Sequence, residues 1–156
     1  TGHTDSAGYC LIASAKRDQR RLLSVVLGTS SDRARAMESQ SLLNYGFQFF
    51  ETVRLYPGNQ PVSTLRLYKG DQSEARAGFL SDFYVTVPRG SGSRIQAQVI
   101  SQQPLLAPLR RGQRIATLRL SIDGQHFADY PLAALDNVAV AGVLGRAWDN
   151  MLLMFK

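Results

Sequence analysis

The chain is poor in the residues that usually announce chemistry. Its single cysteine, Cys10, excludes an intrachain disulfide, and in the apolar run GYCLIASA it reads as a buried, inert thiol. Its two histidines, His3 and His126, stand most of the chain apart, with no cluster of acids or thiols around either, so no metal-site spacing is present. Neither a metal nor an organic cofactor is expected. No run reaches the roughly 18 apolar residues of a membrane-spanning helix. No cleavable targeting segment opens the sequence and the first residue is not Met, so either the protein stays where it is made or its true N-terminus lies upstream.

What is present describes a folded, basic chain. At 156 residues and 44% hydrophobic, it can bury one moderate core or two small ones. Lys and Arg outnumber Asp and Glu by 18 to 12, a net charge of +6, which would permit a polyanionic partner. Only KRDQRR and LRRGQR are dense in charge, however, and neither is interleaved with aromatics that could stack bases. The arginines read as solvated groups on turns and outer strand faces, and no nucleic acid partner is expected.

The hydrophobic period changes along the chain. YCLIASA (9–15) and RLLSVVLG (21–28) flank the polar turn KRDQR and predict a strand hairpin. From DRARAM onward, Ala36, Leu42, Leu43, Phe47 and Phe50 recur at three- and four-residue steps, which predicts an amphipathic helix over 32–50 capped by Ser30 or Ser31. Gly46 within it signals close packing or early fraying. Short alternating runs follow, with Ile115, Thr117, Arg119 and Ser121 on one face and Ala116, Leu118, Leu120 and Ile122 on the other. Asp123-Gly124 predicts a tight hairpin turn there. Residues 52–138 therefore read as a small all-β, sandwich-like domain. In GVLGRAWDNMLLMFK, Val143, Leu144, Trp148, Met151, Leu152 and Phe155 fill one side of a helical wheel. Such a helix suits a membrane interface or docking on its own protein, and both readings stay open.

Three polar residues at the start, His3, Asp5 and Ser6, are too close along the chain to converge as a triad and read as a polar turn. TGHTDSAGYCLIASAKRDQRRLLSVVLG, followed by LLNYGFQFFETV, YVTVPRG, APLRRGQ and the tail ending LMF, resembles the C-terminal portion of the low-molecular-mass penicillin-binding proteins, serine-type D-alanyl-D-alanine carboxypeptidases of peptidase family S11. The family carries a K-T-G strand beside S-x-x-K and S-x-N elements. Thr1-Gly2 matches the last two residues of K-T-G. The nucleophilic serine, its lysine, S-x-N and the motif lysine are absent from these residues.

The resemblance implies a mixed fold in three parts. Residues 1–51 would be the closing hairpin and helix of an α+β transpeptidase-like domain, 52–138 its β-rich second domain, and 139–156 an amphipathic membrane-anchor helix. It also implies that Thr1 holds the substrate's terminal carboxylate, that Gly2 lets the substrate backbone approach, and that the His3 N–H serves the oxyanion hole, with Thr4 and Arg35 nearby. The implied substrate is the peptidoglycan stem peptide, with β-lactams as its mimics, and the implied place is the periplasmic side of the bacterial inner membrane. This chain alone is expected to be inactive. A non-catalytic β-module, a pedestal or a surface for a protein or wall partner, is the alternative. The hairpin and helix should leave apolar surface of the Leu22, Val25, Leu27 and Phe47 kind, which predicts an oligomer or association with an N-terminal fragment.

Overall fold

A computed structural model describes residues 1–18 and 20–142. The chain divides into two compact units. The first is Thr1–Val53 with Thr86–Gly92, and the second is Arg54–Val85 with Ser93 onward.

In the first unit, strands β1 (Gly2–Thr4), β2 (Gly8–Arg17) and β3 (Arg20–Thr29) form a three-stranded antiparallel sheet in that order. Helix α1 (Asp32–Phe49) follows, and the Ser31 hydroxyl accepts the Ala34 N–H at 3.1 Å, which satisfies one of the free amides of the first turn. The helix lies on one face of β2 and β3. There Ser24 and Ser39 are buried and pair through their hydroxyls at 2.5 Å. Gly46 packs closely on β3: a Cβ there would stand 2.6 Å from Leu22 Cδ1. The close-packing reading of that glycine is the one the structure takes.

The helix stripe differs from the expected one. The packed face runs through Ser39, Leu43 and Phe47, whereas Ala36 and Leu42 are exposed and Phe50 caps the helix as the first residue of the next strand. The apolar residues of α1 are distributed around the helix, and a buried serine takes a place that a hydrophobic count assigns to leucine.

No basic residue occupies the last turn of α1. Arginines from elsewhere serve its C-terminus instead. Arg20 donates to the carbonyls of Gly46, at 2.7 Å, and of Phe50, while Arg89 donates to those of Phe47 and Gln48, both at 2.8 Å. Cationic donors at the negative end of the helix dipole are the favourable arrangement. Strands β4 (Phe50–Tyr56) and β7 (Phe83–Pro88) pair as a two-stranded sheet.

Residues 54–56 of β4 and 83–85 of β7 belong to the second unit, which also carries a six-stranded sheet. Its order is β8 (Ile95–Ile100), β10 (Arg114–Ile122), β11 (Gln125–Ala134), β6 (Glu74–Gly78), β5 (Pro61–Tyr68) and β9 (Leu105–Leu106). All neighbours are antiparallel except β5 and β9. Leu118, Leu120 and Leu132 are wholly buried in its core. Asp123 and Gly124 both take positive φ, 53° and 79°, in the tight β10–β11 turn, as the sequence leads one to expect. Alternation along β10 fails at its start: Ile115 and Ala116 are both buried, because the register slips between Arg114 and Ala116. A bulge there puts consecutive side chains inside.

Candidate functional site

The polar start of the chain folds into an edge strand. Gly2, His3 and Thr4 of β1 face Cys10, Tyr9 and Gly8 of β2 across a turn at Asp5–Ala7. The turn is closed by the Thr4 hydroxyl, which accepts the Ala7 N–H at 3.0 Å and lies 3.4 Å from the Ser6 hydroxyl. Gly8 exits it with φ +64°, and a Cβ there would stand 3.0 Å from the Thr29 carbonyl oxygen, so glycine is required. Ser6 and Asp5 thus belong to a turn rather than to a triad with His3.

Arg35 fixes the edge strand to the rest of the unit. From the first turns of α1 its guanidinium donates to the carbonyls of Gly2, at 3.0 Å, and Cys10, at 3.2 Å, and pairs with Asp32. Its side chain is only 14% exposed. It also lies 5.5 Å from the centre of the Tyr9 ring, which meets the His3 imidazole at 3.9 Å between centroids. One side chain therefore holds β1, β2 and the helix start in register through charge-assisted bonds.

Thr1, Gly2, His3 and Thr4 are exposed, and a Cβ at Gly2 would meet nothing within 4 Å. The outer edge of β1 pairs with no other strand among the described residues. An open edge of this kind can take an extended peptide by strand addition. Sequence reasoning named Thr1 to Thr4 and Arg35, which the structure brings together at β1, but did not name Tyr9 or Asp32, which pack and pair beside them. Tyr9 was findable, since it is directly opposite His3 once a three-residue turn is assumed.

A second polar group lies on the outer face of the six-stranded sheet. Arg119 grips Asp129 through two bonds of 3.0 and 2.9 Å, and His126 Nε2 lies 3.0 Å from the same carboxylate. Hydrogen bonds from Arg119 and then His126 hold the Asp129 carboxyl far below the usual range. Gln98 and Gln96 flank Arg119 and Ser121 on β8. No group of three metal-ligating side chains occurs among the described residues. Likewise no helix among them is long and apolar enough to cross a membrane. Val143, Leu144, Trp148, Met151, Leu152 and Phe155, and with them the expected anchor helix, lie outside the described residues.

Comparison with known proteins matches both parts of the chain. The family described as "Penicillin-binding protein 5, C-terminal domain" matches residues 50–140, and "D-alanyl-D-alanine carboxypeptidase" matches residues 1–31. D-alanyl-D-alanine carboxypeptidase DacC of Escherichia coli is 40% identical over 156 residues, which is 99% of this chain and 39% of the relative. D-alanyl-D-alanine carboxypeptidase DacA of Haemophilus influenzae is 37% identical over 158 residues, 100% of this chain and 40% of the relative. The crystal structure of penicillin binding protein 5 from Haemophilus influenzae superimposes with a TM-score of 0.80 at 36% identity, covering 88% of this chain and 41% of that one. The chain thus spans about two fifths of the length of the curated relatives it matches.

Proposed function

The chain belongs to the family of penicillin-binding protein 5 C-terminal domains, and from that premise we propose that it is the C-terminal part of a serine-type D-alanyl-D-alanine carboxypeptidase. The longer protein removes the terminal D-alanine of peptidoglycan stem peptides through an acyl-serine intermediate. The observation that carries this reading is the edge strand β1, which begins Thr1-Gly2-His3 and is locked by Arg35 with its outer edge open.

In this reading the substrate peptide lies along that edge. Gly2, with no side chain and nothing beside it, allows the approach, the Thr1 hydroxyl binds the terminal carboxylate, and the His3 N–H stabilises the developing oxyanion. Thr4 shapes the turn behind them. Arg35 serves as a positioning residue, because its guanidinium is already committed to the strand carbonyls and Asp32. The nucleophilic serine and its lysine come from outside these residues, and no cofactor takes part.

We divide the chain by role at 1–51, the closing segment of the catalytic domain, 52–138, the β-rich domain, and 139–156, an amphipathic helix attaching the protein peripherally to the periplasmic side of the inner membrane. A β-module that serves as a pedestal or binds a wall or protein partner is a second reading. It is supported by the polar face around Arg119, Ser121 and His126.

Labelled penicillin separates the outcomes. The 156-residue chain alone should remain unlabelled, and the longer protein should be acylated and release D-alanine from a pentapeptide. In that longer protein Thr1→Ala should lower kcat/KM for the peptide, while Arg35→Ala should lower kcat and loosen the strand, read by faster amide exchange at Gly2 to Thr4. A longer protein that neither takes the label nor releases D-alanine would leave the β-module as the function. A blue shift of Trp148 fluorescence with anionic vesicles tests the attachment, and an unchanged spectrum would reject it.

A further inference from the structure

The two edges of the six-stranded sheet are managed differently. At one edge β9 is two residues long and bracketed by Pro104 and Pro108, which cannot donate to a ladder. At the other, β8 is six residues long and among the described residues pairs with β10 on one side only, over Ile95 to Ile100, with no bulge in that register. It contains no charge and no proline. Proteins commonly blunt an edge strand with lysine, proline, a bulge or a cover; β8 has no lysine, proline or bulge, and Gln96, Ala97 and Gln98 are exposed among the described residues.

The sequence of this edge also suggests what it meets. Ile95-Gln96-Ala97-Gln98-Val99 reads almost the same in both directions. Directly opposed residues of an antiparallel pair share a face, so two copies of the strand related by a two-fold axis can keep inside and outside consistent only if the axis passes at a residue. With the axis at Ala97, Ile95 meets the second copy's Val99, Gln96 meets its Gln98, and Ala97 meets itself. Apolar residues then face apolar ones on the inner side, and the two glutamine amides can bond reciprocally on the outer side. A self-complementary patch is what an isologous contact requires.

We propose that the free edge of β8 is the site at which a second copy of this chain pairs, antiparallel and centred on Ala97, continuing the sheet across two protomers. Arg94, ion-paired with Asp123 at 2.7 Å, lies just beyond the paired segment, so no like charges are opposed within it. A single strand pair buries far less than the roughly 800 Å² per partner of a stable interface, so association is weak and depends on concentration. The inference stands independently of the catalytic reading.

Cross-linking tests the register directly. In the full chain, with Cys10→Ser removing the native thiol, single cysteines are introduced by Ala97→Cys, Gln96→Cys or Gln98→Cys and oxidised mildly at high protein concentration. Opposed residues are about 4.5–5.5 Å apart at Cα, within disulfide reach, whereas a two-residue offset gives about 8 Å, beyond it. The expected result is that Ala97→Cys links to itself, and that Gln96→Cys and Gln98→Cys link to each other in a mixture several-fold more than either does alone. Equal yields at all three positions, or none, would overturn the proposal. Sedimentation velocity of Ala97→Lys provides a second readout: the concentration-dependent dimer should be lost with the circular dichroism spectrum unchanged. A dimer that survives this substitution would belong to another surface and would also overturn it.

Discussion

The two units of this chain treat apolar residues in opposite ways. In the second, strand alternation delivers Leu118, Leu120 and Leu132 to the interior, and Leu135 and Val138, just beyond β11, join them, each at most 3% exposed. In the hairpin and helix, residues 1–53, only Ser24, Val26, Ser39 and Phe47 are buried among the described residues. Ile12, Leu23, Val25 and Leu27 stand 62, 66, 52 and 70% exposed on the sheet face away from α1, with Ile12 directly opposite Val25. The composition of the two regions does not tell them apart. What differs is cover: α1 lies on one face of the hairpin, no described residue buries the other, and a further layer is needed to bury it. Under the proposed function, the remainder of the catalytic domain supplies that layer.

The largest effect that would sharpen the contrast lies in the second unit. Leu118→Ala removes a wholly buried side chain and should lower stability by about 2–5 kcal/mol, measured by urea unfolding. A loss below about 1 kcal/mol would mean that this unit, too, is loosely built. The first unit depends more on polar anchors. Arg89→Ala takes away both donors to the Phe47 and Gln48 carbonyls and should cost about 1–2 kcal/mol, with faster amide exchange in the last turn of α1. Arg89→Lys, which keeps the charge without the two-pronged geometry, should recover only part of the loss.

How much of this was legible in the sequence follows from the range of each signal. The hairpin, the helix with its Ser31 cap and the Asp123-Gly124 turn are local, and period and turn chemistry were enough to find them. The exposed face was legible in part: Val25 and Leu27 are bare, but Leu22 lies against the helix at Gly46, and Phe47 is buried with the Arg17 and Arg20 guanidiniums at 4.5 and 4.9 Å from its ring centre. Arg89 gave no signal, because it reaches the helix end from about 40 residues along the chain. At the candidate site the T-G-H motif identified the strand, whereas the posture of Arg35, turned onto the Gly2 and Cys10 carbonyls, depends on a pairing that no linear motif encodes.

Acid gives a smaller effect that separates the units by charge. The Asp129 carboxyl is held down by the Arg119 bonds first and His126 second, and Asp136 by its two bonds from Arg76 at 2.7 and 2.8 Å. A carboxyl lowered on folding contributes stability that is complete above its unfolded value, about 3.9, and is lost as pH falls from there through its folded value. Thermal stability should therefore be flat from about pH 7 to 5 and decline below about pH 4. Asp129→Asn should make that decline shallower. Both carboxylates are at the surface, so the change is modest and should shrink further in high salt. An acid limb identical in the variant would show that the Arg119 grip does not persist in solution.

The smallest effect on stability belongs to the bare face. Because Leu23 and Leu27 are already in water in this chain, Leu23→Ser with Leu27→Ser forfeits almost no burial and should change unfolding by less than about 0.5 kcal/mol. The same pair should lower binding of a hydrophobic dye and raise the solubility limit, since a contiguous apolar patch is what such probes and aggregates recognise. In the longer protein, where the proposed second layer covers this face, the same substitutions should instead cost several kcal/mol, because serine hydroxyls would then be buried where leucine side chains had filled the space. Equal and negligible costs in both settings would mean that the face stays open in the longer protein, and that the missing layer is not what completes the first unit.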